Sequence, residues 1–97
     1  MSNSSNVRKI VRIEAKPGLA DLARAALVEL QRATQTEPGC REFVFFQALG
    51  DESSFLLIED FANLNALEHH MNLPHTQAFF ARELVAAIRP IERGWMS

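Results

Sequence analysis

A single α+β domain, an antiparallel four-stranded sheet with its helices on one face, is the fold class this sequence predicts. Three observations carry that expectation. The apolar period switches from two residues to 3.6 and back along the chain. Two consecutive apolar strands lie mid-chain, separated only by Gly50-Asp51-Glu52-Ser53. Pro-Gly pairs at Pro17-Gly18 and Pro38-Gly39 punctuate the segments before them.

Residues 1–6 (MSNSSN) are polar and serine-rich and read as a tail, leaving 7–97 as the domain. Val7 to Ala15 is rich in β-branched residues, with Val11, Ile13 and Ala15 on one face, and reads as a strand. From Leu19 to about Thr36, Leu19, Leu22, Ala23, Ala26, Leu27, Leu30 and Ala33 fall on a helical stripe, with Asp21, Arg24 and Glu29 off it. Glu37-Pro38-Gly39 stops that helix, because proline disfavours helix in the residue before it and glycine permits the turn.

Cys40 to Leu49 reads as the next strand. Phe43, Phe45 and Leu49 face one way, and Val44, Phe46 and Ala48 the other. Ser54 to Phe61 follows, with Phe55, Leu57 and Phe61 opposite Leu56 and Ile58. A short helix opens at Ala62-Asn63 with Asn63 as N-cap and Leu64, Leu67 and Met71 as its apolar side. Pro74 suits the first turn of a new helix, expected from His75 to Arg89 along Phe80, Leu84, Ala87 and Ile88 and ended by Pro90. A last strand is expected over Ile91 to Met96, bent at Gly94. The order β-α-β-β-α-β, with the second helical region split, is ferredoxin-like.

Antiparallel sheets often leave one face wet, yet both faces of the middle hairpin are apolar. The chain's helices cover one face, and 97 residues leave little to cover the other. The sheet of a second copy is the expected cover; a strongly curved sheet closed by loops and helix ends is the alternative. Net charge is −2 with acids and bases interspersed, so nucleic acid is not an expected partner. No apolar run approaches the ~20 residues of a membrane span, and the first residues lack the apolar core of a leader. With Cys40 the only cysteine, no intrachain disulfide forms, and a cytoplasmic location is expected.

All three histidines lie within His69–His75, the chain's one concentration of groups that titrate near neutrality. His70 follows Leu67 by three positions and so points inward, which turns His69 to solvent. Glu68, His69, His70 and His75 do not converge as zinc ligands must, since adjacent helical residues diverge and Pro74 intervenes; no metal is expected. Glu59 interrupts an otherwise apolar strand face and needs a partner, either His70 or one of Arg12, Arg82 and Arg89. Cys40 reads as a small buried hydrophobe.

Ala15-Lys16-Pro17-Gly18, Glu37-Pro38-Gly39-Cys40, Glu59, Ala66-Leu67 with His70, and Pro74-His75, in this order and spacing, resemble the antibiotic biosynthesis monooxygenase domain, including its quinol monooxygenase-like members. The resemblance runs from Val7 to about Arg93. It implies a dimeric α+β barrel, a pocket between sheet and helices in each subunit, and oxidation of quinols or polycyclic phenols by O2 without metal, flavin or haem. In the haem-degrading branch, an asparagine, a tryptophan and a ligating histidine stand where this chain has Val11, His70 and about Phe80, which argues against haem.

The resulting expectation is a cofactor-independent monooxygenase, a homodimer acting on a small aromatic substrate. His70 is its general base, Glu59 orients His70, and His75 accepts or relays a proton at a helix start. A non-catalytic ligand-binding dimer and an isomerase of a small metabolite are the alternatives. Phe43, Phe45, Phe46, Phe55, Phe61, Phe79 and Phe80 are expected mostly in the core, and Trp95 in the pocket lining or an interface. The chain has no tyrosine, so no phenolic donor is available to a substrate oxyanion.

Overall fold

The alternation of β-branched and polar residues in the first strand does set its two faces: Val11, Ile13 and Ala15 are buried while Arg8 and Arg12 are exposed. The computed structural model describes residues 6–91. Its elements are β1 (Val7–Ala15), α1 (Ala20–Thr34), β2 (Cys40–Gln47), β3 (Ser54–Phe61), α2 (Leu64–Asn72), α3 (Pro74–Ala81) and β4 (Val85–Pro90). The strands form one sheet in the order β2-β3-β1-β4, every neighbouring pair antiparallel. This is the ferredoxin-like α+β fold.

The core lies between one sheet face and the helices. Val11, Ile13, Phe43, Phe55, Leu57 and Phe61 project from the strands toward Ala23, Ala26, Leu27 and Leu30 of α1 and Phe79 of α3. Two glutamines fasten α1 to the open side of the edge strand β2. The side-chain oxygen of Gln31 accepts from Phe45 N–H at 2.7 Å, and the amide of Gln35 donates to Phe43 C=O at 2.9 Å. An edge strand's unpaired backbone is thereby satisfied within the chain.

Three expectations need correction, and a fourth lies almost wholly outside the described residues. The helix expected from His75 to Arg89 ends at Ala81, and Val85–Pro90 is a strand instead. Glu83, at φ 52°, turns the chain out of α3, and Ala15, Ile13 and Val11 of β1 then pair with Val85, Ile88 and Pro90. The stripe Phe80-Leu84-Ala87-Ile88 mimicked a helical period, but the free edge of β1 needed a hydrogen-bonding partner and two β-branched residues supplied one. Pro90 sits on an edge strand, where its missing N–H costs little. The strand expected over Ile91 to Met96, with Gly94 and Trp95, falls outside the described residues except for Ile91, whose N–H donates to Ile10 C=O at 2.8 Å.

The other two are local. Leu49 lies beyond the end of β2 in the turn and is fully exposed, not a core residue. Leu22 faces out of α1 at 51% exposure, because the buried stripe runs through Ala23, Ala26, Leu27, Leu30 and Thr34.

The opposite face of the hairpin is apolar as expected. Val44, Leu56 and Ile58 are half-buried and Phe46 is 49% exposed, with no element of the chain across them among the described residues.

Candidate active site

The chain brings side chains from three different segments together, two imidazoles meeting one carboxylate oxygen. Asn63 caps α2, its side-chain oxygen accepting from Ala66 N–H at 2.8 Å, and this fixes the helix phase that turns His70 inward. Pro74 occupies the first turn of α3 and places His75 and Thr76 directly after it. Glu37 comes from the turn between α1 and β2, which can reach α2 because Gly39 has no side chain. A Cβ there would stand 2.4 Å from the Cβ of Ala66.

Glu37 Oε2 lies 2.9 Å from His70 Nδ1 and 2.6 Å from His75 Nε2. A carboxylate has only lone pairs to offer, so each imidazole donates to it. In neutral His70 this places the proton on Nδ1 and leaves the lone pair on Nε2, the form a base requires. His70 and Glu37 are buried, whereas the side chain of His75 is 28% exposed and opens onto a surface cleft with Ala33 and Arg82. The His70 ring packs on Phe61 at 5.0 Å and Phe43 at 5.2 Å.

His70 also lines a cavity of about 280 Å³ between the sheet and the helices. Its walls are Val11, Leu57, Phe43, Phe45, Phe79 and Phe80 among others; its polar side chains are Lys9, Glu59, His70 and Thr76.

Glu37, His70 and His75 also offer one donor atom each within 4.8 Å of one another, the set a divalent metal takes. The separations of 2.6 and 2.9 Å are hydrogen-bond lengths. Neighbouring ligands on a tetrahedral zinc, with bonds near 2.0–2.1 Å, stand roughly 3.3 Å apart. The geometry fits shared protons better than a shared metal ion.

The sequence profile of the antibiotic biosynthesis monooxygenase family matches residues 6–82. The chain belongs to the antibiotic biosynthesis monooxygenase family. Among solved structures it is similar to PA3566 of Pseudomonas aeruginosa, at 27% identity over 94% of both chains with a TM-score of 0.85. It is also similar to Rv0793 of Mycobacterium tuberculosis, at 27% identity over 91% of this chain and 94% of that one, with a TM-score of 0.77. A curated relative, sll1783 of Synechocystis, is 26% identical over 80 residues, and the chain spans about half of that protein's length (54%).

Within this family fold, the residues singled out from sequence separate into two groups. His70 and His75 meet, as members of one network, and His69 is exposed on the far side of α2. Glu59 does not orient His70: the nitrogen that bonds a carboxylate bonds Glu37, and no arginine pairs with Glu59 among the described residues. Glu59 instead lines the cavity beside His70, and burial raises its pKa against the opposing pull of Lys9. The Cys40 thiol is also pushed up, first by burial and then by the carboxylates of Glu37, Glu59 and Asp60, which suits the inert role expected for it.

In the sequence Glu37 does not stand out as a partner of His70. The Glu-Pro-Gly signal reads as turn punctuation, and the contact with His70 spans 33 residues.

Proposed function

We propose that this protein is a cofactor-independent monooxygenase that oxidises a small quinol or polycyclic phenol with O2, with His70 as general base, Glu37 as its orienting group and His75 as the proton exit. The observation that carries the reading is the apolar cavity of about 280 Å³ with an oriented, buried imidazole in its wall. A cavity of ~150 Å³ holds one benzene ring, so this one suits two fused rings.

The chemistry follows from where the proton goes. Nε2 of His70 takes the hydroxyl proton of the bound quinol. The resulting phenolate gives one electron to O2, and the semiquinone and superoxide so formed combine at the ring carbon beside the ionised oxygen. Protonation by the His70 imidazolium gives a ring hydroperoxide. Loss of the hydrogen on that carbon breaks the O–O bond, leaving a carbonyl on the ring and releasing water. The balance is quinol plus O2 to hydroxyquinone plus water, one oxygen atom in each product. Glu37 stabilises the imidazolium while it lasts, and His75 connects that carboxylate to solvent.

An isomerase acting on a phosphorylated metabolite needs a cationic cavity. Lys9 is the one basic Lys or Arg side chain in the described lining, which favours an aromatic ligand. The uncovered apolar face of Ile58, Leu56, Val44 and Phe46 supports a homodimer built sheet to sheet. The free thiol of Cys40 suits a reducing cytoplasm, and no helix among the described residues is long and apolar enough to cross a membrane.

Oxygen uptake on a panel of hydroquinones, wild type against His70→Ala, tests the proposal. Loss of the base should cost about 10²–10⁴-fold in kcat. Equal rates remove His70 from the mechanism, and no uptake by the wild type on any member favours a binding protein that lacks the chemistry.

A further inference from the structure

One buried charged group in the cavity has no part in the proton network. Glu59 is 8% exposed and stands in the cavity wall, yet it has no hydrogen-bond or ion-pair partner among the described residues. Its strand neighbours are Lys9 on β1 and Phe43 on β2. The Lys9 side chain is exposed and acts on it only at a distance. A carboxyl group drawn largely out of water, with no protein partner, gains from a ligand that bonds it.

The position of Glu59 relative to the base is set by the strand. Phe61, against which His70 packs, lies two residues further along the same face of β3. His70 also packs on Phe43, the cross-strand neighbour of Glu59, so the carboxyl group and the imidazole line one cavity from β3 and α2. A ring bound in that cavity has both groups in its lining, one to meet each of two ring oxygens.

We infer that Glu59 is a specificity-determining residue: its carboxyl group bonds a second oxygen substituent of the bound ring, so that the cavity prefers a dihydroxy-aromatic to the same ring with one hydroxyl. Either protonation state serves. The carboxylate accepts from a hydroxyl, and the acid, which burial favours, donates to a ring oxygen. The inference rests on the reading of this cavity as a site for an aromatic ligand, and it is separable from the reaction.

The test is anaerobic calorimetric titration of naphthohydroquinone and of naphthol into wild type, Glu59→Leu, Glu59→Gln and His70→Ala. The wild type should bind the diol roughly 10- to 100-fold more tightly, the worth of one hydrogen bond to an ionisable group. Glu59→Leu should lose that preference while holding naphthol as the wild type does, and Glu59→Gln, which still offers a donor and an acceptor, should keep part of it. His70→Ala should retain it. Equal binding of the two ligands by the wild type, no binding of either, or an undiminished preference in Glu59→Leu overturns the inference. A preserved preference without oxygen uptake would leave the inference standing and sink the oxygenase reading; uptake without a preference would do the reverse.

Discussion

Two histidines on one carboxylate oxygen make Glu37 the residue whose loss should be felt most widely. Glu37→Gln keeps the size of the side chain but replaces a double acceptor by an amide, so His70 is no longer held in a single tautomer. Turnover should fall by about 10²-fold or more while KM changes little, because orienting a base acts on the transition state. Steady-state oxygen uptake checks the split between the two constants.

Glu59 should show itself in stability. Burial raises its pKa above the unfolded value, so the folded state loses stability as the pH climbs through the folded pKa. Glu59→Gln cannot ionise. It should melt higher than wild type at neutral pH, and the gain should vanish below about pH 4, where both folded and unfolded wild type are protonated. Thermal melts across pH decide this; a gain independent of pH would trace to packing instead.

Much at this scale was legible in the sequence. The inward turn of His70 and the outward turn of His69 follow from helical phase alone. The partner of His70 did not, since a turn glutamate far back in the chain carries no local mark of what folds onto it.

Among the elements, the join between α2 and the α1–β2 turn decides whether the site assembles. Gly39→Ala would drive a methyl into Ala66, and overpacking of this kind costs about 1–3 kcal/mol. Chemical denaturation should show that loss, and Ala66→Gly in the same chain should restore part of it by removing the opposing methyl.

The elements also mark where sequence periodicity misleads. The first helix, the hairpin and the cap at Asn63 were readable, because each has a long period or a specific side-chain signal. The segment after Ala81 was not. Its apolar residues fit a helical stripe, and only the vacant edge of β1, a demand made by a strand seventy residues earlier in sequence order, selects the extended form.

For the molecule as a whole, the face of the sheet away from the helices remains to be covered. Phe46, Val44, Leu56 and Ile58 line it, and a second copy presenting the same face would bury them in a closed, twofold contact. Sedimentation should find a dimer at micromolar concentration, and Ile58→Glu, which places a charge in the middle of that face, should shift it to monomer. A stable wild-type monomer would contradict the paired arrangement.

The reaction itself is best decided by isotope. Naphthohydroquinone supplied with oxygen-18 gas should give, with the wild type, a hydroxyquinone carrying one heavy oxygen atom and water carrying the other, and His70→Ala should give little of that product. Quinone without added oxygen, accompanied by hydrogen peroxide at the same rate with and without protein, would contradict a monooxygenase in which His70 is the base.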